Sequence, residues 1–139
     1  MRKSILIACM ALLSVGLQAQ KTEMKAVKQT ITAFAQAGDA QDAESLEKHL
    51  DANYRIVMNQ LFGSKEVSVM PRAVYLDKIR KKEFGGDPRK LTFKEVIING
   101  NTAVVRVDMA GSKMTMYSLI TLVKNAEGKW LLISDVPVV

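Results

Sequence analysis

The chain has one cysteine and one histidine among its 139 residues, and both scarcities narrow its chemistry. Cys9 falls inside an apolar N-terminal segment that reads as a leader, so the rest of the chain has no disulfide, no thiol nucleophile and no thiolate metal site. His49 stands alone, which excludes a multi-histidine metal site and any dyad built on two histidines. A glycine-rich phosphate loop, a G-x-S-x-G nucleophile turn and a metal-spaced cluster are also missing. No cofactor or metal is expected, and no set of catalytic residues announces a reaction. The chain also lacks internal repeats and low-complexity segments.

Residues 1–19 carry a separate message. Met1-Arg2-Lys3 is a short basic start, Ile5 to Leu17 is apolar, and Leu17-Gln18-Ala19 ends in a small residue of the kind signal peptidase prefers. We read this as a secretory signal peptide and expect export, periplasmic or secreted, with a single mature domain over 20–139. The apolar run is shorter than the ~20 residues of a spanning helix, so no stable membrane insertion is expected after cleavage. Acylation of Cys9 is not expected either, because cutting there would leave Met10 to Leu17 on the mature end. Loss of Arg2 and Lys3 lowers the formal net charge from +6 to +4. That mild excess suggests no dedicated polyanion partner.

Leu91 to Val136 reads as four strands: LTFKEVII, TAVVRVDM, KMTMYSLITLV and KWLLISDV. Asn99-Gly100, Ala110-Gly111-Ser112 and Asn125 to Gly128 supply the turns, so an antiparallel meander is expected. In the second strand Ala103, Val105, Val107 and Met109 form one apolar face. The third strand is apolar on both faces, with Met114, Met116, Ile120 and Leu122 on one side and Tyr117, Leu119 and Val123 on the other. The last strand sets Trp130, Leu132 and Val136 against Leu131 and Ile133. Helices can cover one face only, and the other calls for a second copy of the chain, hence a homodimer through the sheet.

Upstream, Met24, Val27, Ile31 and Phe34 recur at helical spacing and predict a helix over 22–37. Asp39 is read as the N-cap of a second short helix whose apolar face is Ala43, Leu46 and Leu50, with His49 in its last turn. Asn53 to Asn59 alternates as a strand and pairs with Glu66 to Met70 as a hairpin. A third helix starts at Pro71 and runs toward Phe84, ending at Gly85-Gly86-Asp87-Pro88. The eight basic residues from Arg72 to Lys94 read as a solvated face, since no aromatic residues interleave with them as a nucleic-acid platform requires.

This order is an α+β layout, helices on one face of a curved, mainly antiparallel sheet. It resembles the nuclear transport factor 2-like superfamily. The resemblance rests on the first helix running into Ala37-Gly38-Asp39-Ala40, the strand Asn53 to Met58, Tyr75-Leu76-Asp77-Lys78-Ile79, Asn99-Gly100-Asn101-Thr102-Ala103-Val104-Val105 and the closing Gly128-Lys129-Trp130-Leu131-Leu132-Ile133. Among its branches the chain is most similar to the lumazine-binding subgroup of exported bacterial proteins. The resemblance implies a cone with a cavity between helices and sheet. Its known members include isomerase-, dehydratase- and cyclase-like enzymes and proteins that only bind.

The expected role is binding of a small apolar or aromatic ligand by Tyr54, Met58, Met116, Tyr117 and Trp130. The alternative is an enzyme using Asp108 or Asp135 as base with a Tyr donor such as Tyr117, or Tyr54 or Tyr75. For Asp108 the plainer expectation is a surface ion pair with Arg106, and for Asp135 a solvated end-of-strand acid. A third alternative is a non-catalytic dimeric interaction domain, its cavity filled by its own side chains.

Overall fold

The computed structural model describes the backbone of residues 2–139 and the side chains of residues 15–139. The side chains of the basic start and of Cys9 therefore lie outside the described residues. Helix α1 runs Arg2–Asp39 and is continuous with the expected helix over 22–37. The side chains from Val15 to Thr22 are exposed, and the buried stripe begins with Val27, Ile31 and Phe34. Among the described residues no helix is long and apolar enough to cross a membrane.

The short α2 is Ala43–Glu47, and its N-cap is Asp42, whose carboxylate accepts from Ser45 N at 3.0 Å, rather than Asp39. Asp39 is the last residue of α1, and Leu50 opens strand β1 instead of completing a helical face. His49 accordingly sits in the turn after α2, where burial and the nearby Lys129 and Lys48 hold its ionisation low. Strands β1 (Leu50–Asn59) and β2 (Val67–Pro71) pair as the expected hairpin. Helix α3 is Arg72–Arg80 with Pro71 as its N-cap, one position earlier than read. It stops short of Phe84 because Lys82 takes φ +60 and turns the chain.

Strands β3 (Lys90–Asn99), β4 (Thr102–Ala110), β5 (Thr115–Lys124) and β6 (Trp130–Val138) form the meander. The sheet order is β2-β1-β6-β5-β4-β3, with β1 joining β6 in parallel. Helices cover one face, burying Ala103, Val105, Val107, Met109, Ile120 and Leu122. Near its middle α1 is tied to the sheet by Glu23, which accepts from Trp130 Nε1 at 2.7 Å and Lys124 Nζ at 2.6 Å.

The alternation expected along β6 is interrupted. Leu122 faces Leu132 while Thr121 faces Ser134, so Ile133 is an extra residue, a β-bulge. Trp130 and Leu132 point inward as read, but beyond the bulge the phase changes. Asp135 and Pro137 turn inward, and Val136 moves to the outer face beside Leu119. A second bulge, at Lys94, keeps Leu91, Phe93, Val96 and Ile98 on the inner side of β3.

Candidate functional site

Between the helices and the inner sheet face lies a cavity of about 320 Å³. Sequence neighbours build it for separable reasons. Phe34 comes from the buried stripe of α1, Tyr75 and Ile79 from α3, and Ile56 and Met58 from β1. Met114 and Met116 enter from β5 and its turn, Asp135 and Pro137 from β6 after the bulge. The loop after α3 adds Phe84, Gly85 and Arg89. Gly85 adopts φ +80 against the carbonyl of Gly38, an approach that would drive any Cβ into that backbone. At the mouth the β1–β2 turn presents Leu61 and Phe62, the latter 74% exposed with φ +54.

The floor is polar at one point. Asp135 is only 8% exposed, opposite Ile56 on β1 and Ile120 on β5. Burial pushes its carboxyl up to about 6, against smaller opposing pulls from the Ser118 hydroxyl and the Arg89 guanidinium. Its Oδ1, Ser118 Oγ and Tyr54 Oη are all buried without a hydrogen bond of good geometry. Burial, followed by the Asp135 charge, drives the Tyr54 phenol well above its usual value, and burial does the same to Tyr75. The two rings lie 5.7 Å apart, and Tyr75 reaches Phe84 at 6.3 Å and Phe34 at 6.4 Å.

Three other charged groups on the walls, Arg89, Asp87 and Glu83, are already engaged, and Lys113 stands at the rim. Arg89 Nε donates to Asp39 Oδ1 at 2.6 Å and its backbone N to Oδ2 at 2.9 Å, with Nη2 on the Ala35 carbonyl at 3.3 Å. Asp87 accepts from Ser112 N and Oγ and from Lys113 N, holding the β4–β5 turn at the rim. Glu83 pairs with Lys78 at 2.7 Å. Among the described residues no group of three or more His, Cys, Asp or Glu side chains could hold a metal ion.

Of the residues singled out from sequence, Met58, Tyr75, Met116 and Asp135 line the cavity. Tyr54 is buried beside it in the aromatic cluster. Trp130 is buried against the middle of α1 on Glu23, outside the lining. Tyr117 is 50% exposed on the outer face, next to Asp108 in register. Asp108 itself pairs with Lys94 at 3.5 Å across the strands rather than with Arg106, as cross-strand neighbours do. Arg89 was grouped with the solvated basic run. Its position after Pro88 and before a strand, off the α3 helix that carries Arg72, Lys78 and Arg80, was the available sign that it differs. The pairs Lys81–Asp77, Lys78–Glu83 and Arg72–Glu47 are indeed at the surface.

Comparison with known proteins fits this architecture. The family profile described as "Putative lumazine-binding" matches residues 22–136. The chain belongs to that family. Among solved structures, this family member is similar to a nuclear transport factor 2-like protein of unknown function from Shewanella baltica OS155, with 19% identity, TM-score 0.72, and coverage of 84% of this chain and 93% of that one. A second such protein, from Silicibacter pomeroyi DSS-3, gives 16% identity, TM-score 0.73 and coverage of 86% and 97%. A ketosteroid isomerase-like protein from Erwinia carotovora atroseptica gives 15%, 0.64, and 83% and 94%. These likenesses establish the nuclear transport factor 2-like fold. No curated protein matches the chain.

Proposed function

We propose that the protein is exported and binds a small, mostly apolar or aromatic molecule in the cavity between its helices and sheet. The observation that carries the reading is a largely apolar void of about 320 Å³ with Asp135 as a buried polar point on its floor. Such concave sites with few polar groups are what small ligands favour. The void also weighs against an interaction domain filled by its own side chains. Export is supported by the leader pattern, and Val15 to Thr22 make no buried contact that processing would remove.

Native mass spectrometry of residues 20–139, released from a periplasm without denaturation, tests the binding reading. The expected spectrum has a small retained mass, or a mass shift when lumazine is added. A spectrum unchanged by lumazine and by other one- and two-ring probes at millimolar concentration overturns it.

Asp135 favours a second reading, proton transfer. An acid raised to about 6 in an apolar pocket, near two tyrosines, suits abstraction of a proton next to a carbonyl. Hydrogen–deuterium exchange at the α carbon of a cyclic enone, followed by NMR, would accelerate with wild type and not with Asp135→Asn. Equal rates with both would remove this reading.

The outer face supports a homodimer. Leu119 is 47% exposed between Arg106 and Val136, and Tyr117, Ile97, Val123 and Leu131 extend the apolar surface around it. The same native spectrum is expected to show a dimer for wild type and a monomer for Leu119→Glu, with unchanged circular dichroism. A dimer persisting in Leu119→Glu would place the contact elsewhere.

A further inference from the structure

Charge pairing around the cavity leaves its walls unequal. The Arg89 guanidinium is committed to Asp39 and the Ala35 carbonyl, Asp87 to the backbone of Ser112 and Lys113, and Glu83 to Lys78. Asp135 has no such commitment: it lines the cavity, is more than nine-tenths buried, and its Oδ1 has no hydrogen-bond partner. An ionised carboxylate only accepts hydrogen bonds, so its complement is a donor. An apolar surrounding makes that charge-assisted bond stronger than it would be in water.

The shape of the void narrows the donor's carrier. Phe34, Tyr75 and Phe84 present rings from the helix side, and Ile56, Met58 and Met116 present the sheet side. Thioethers adapt to flat polarizable partners, and the volume lies at the lower end of the ~300–1,000 Å³ of small-molecule pockets. That is room for one or two fused rings.

We propose that the ligand is a one- or two-ring heterocycle that presents a ring N–H to Asp135, and that the cavity discriminates against ring carboxylates. The inference rests on the binding reading above and adds the chemistry of the ligand's polar edge. An N–H donor satisfies a carboxylate that otherwise stays buried and unpaired, whereas a carboxylate ligand would set two like charges together in an apolar site. The groups facing Asp135 from neighbouring elements are Tyr54 on β1, Ser118 on β5, Tyr75 on α3 and Arg89 before β3. Of these only Arg89 is a cation, and Asp39 neutralises it; Lys113, the other cation of the lining, stands at the rim in the β4–β5 turn, away from the Asp135 floor.

Isothermal titration with three probes tests the assignment: lumazine, 1,3-dimethyllumazine, in which both ring N–H groups of the pyrimidine half are methylated, and 2-naphthoate. At neutral pH lumazine is expected to bind at least tenfold more tightly than its dimethyl form, with no measurable binding of naphthoate. In Asp135→Leu the preference for lumazine should fall to less than threefold. Dimethyllumazine or naphthoate binding wild type as well as lumazine does would overturn the donor assignment and leave the binding reading standing. Failure of all three probes, and of quinolin-2-one as a further ring N–H probe, would overturn both. The comparison within wild type decides the matter even where Asp135→Leu does not fold.

Discussion

Replacing Asp135 by asparagine is expected to make the protein more stable above pH 6, not less. Its carboxyl titrates at about 6 in the folded chain against 3.8 for the ordinary group. Between those values the folded state holds more protons than the unfolded one, so stability falls as pH rises through this window. The loss is complete above the folded value, and a shift of about two units corresponds to roughly 3 kcal/mol as an order of magnitude. Asparagine carries no charge to desolvate and is expected to recover much of that amount. Urea unfolding of wild type and Asp135→Asn at several pH values would show wild type weakening from pH 4 to 6 while the variant stays flat. A variant weaker than wild type above pH 6 would mean that Ser118 and Tyr54 stabilise the carboxylate more than burial penalises it. A group that lowers stability at the floor of a cavity is the kind of residue retained for what it does there.

Arg89→Ala is expected to act in the opposite direction and at least as strongly. The substitution leaves Asp39 as a largely buried carboxylate without its counter-ion, held only by the backbone N–H of position 89, and abandons the Ala35 carbonyl at the end of α1. Breaking a buried pair from one side costs about 3–5 kcal/mol. Arg89→Lys should recover only part, because an ammonium cannot reproduce the planar fork that reaches both the Asp39 carboxylate and the Ala35 carbonyl. A fall in the urea midpoint at unchanged slope would show it, and Asp39→Asn added to Arg89→Ala should return some of the loss. An unchanged midpoint in Arg89→Ala would mean that this end of α1 is held by Phe34 and Tyr75 alone.

The meander was legible because Asn99-Gly100 and Gly128 mark its turns and because Ala103, Val105, Val107 and Met109 alternate without interruption. The helical spacing of Val27, Ile31 and Phe34 likewise announced the face of α1 that is buried. The site was harder to read. Period two carries no sign of an extra residue, so Ile133 went unseen and Asp135 was assigned to the side of Leu131. Trp130 looked like a pocket aromatic by size, yet its indole N–H is spent on Glu23, a partner 107 positions away. Asp39 read as a helix cap because its type suits one; its bonds to Arg89 depend on a loop that brings residues fifty positions apart together. Local pattern reports which face a residue prefers, and it is silent about partners supplied by distant chain.

The bulge at Ile133 makes the cavity's acidity a matter of spacing as well as composition. Close the bulge with Ile133 kept in register and, with uninterrupted alternation, Ser134 and Val136 would inherit the interior while Asp135 joined Leu131 outside. No charged side chain need be substituted for the pocket to lose its carboxylate or for the exterior face to gain one. Deleting Ile133 would leave Asp135 facing in, whereas pairing Ile133 in register exchanges the chemistry of two surfaces at once. Relatives of this fold are best matched strand phase by strand phase, since a column of aligned acids can contain some that look at a ligand and others that look at water.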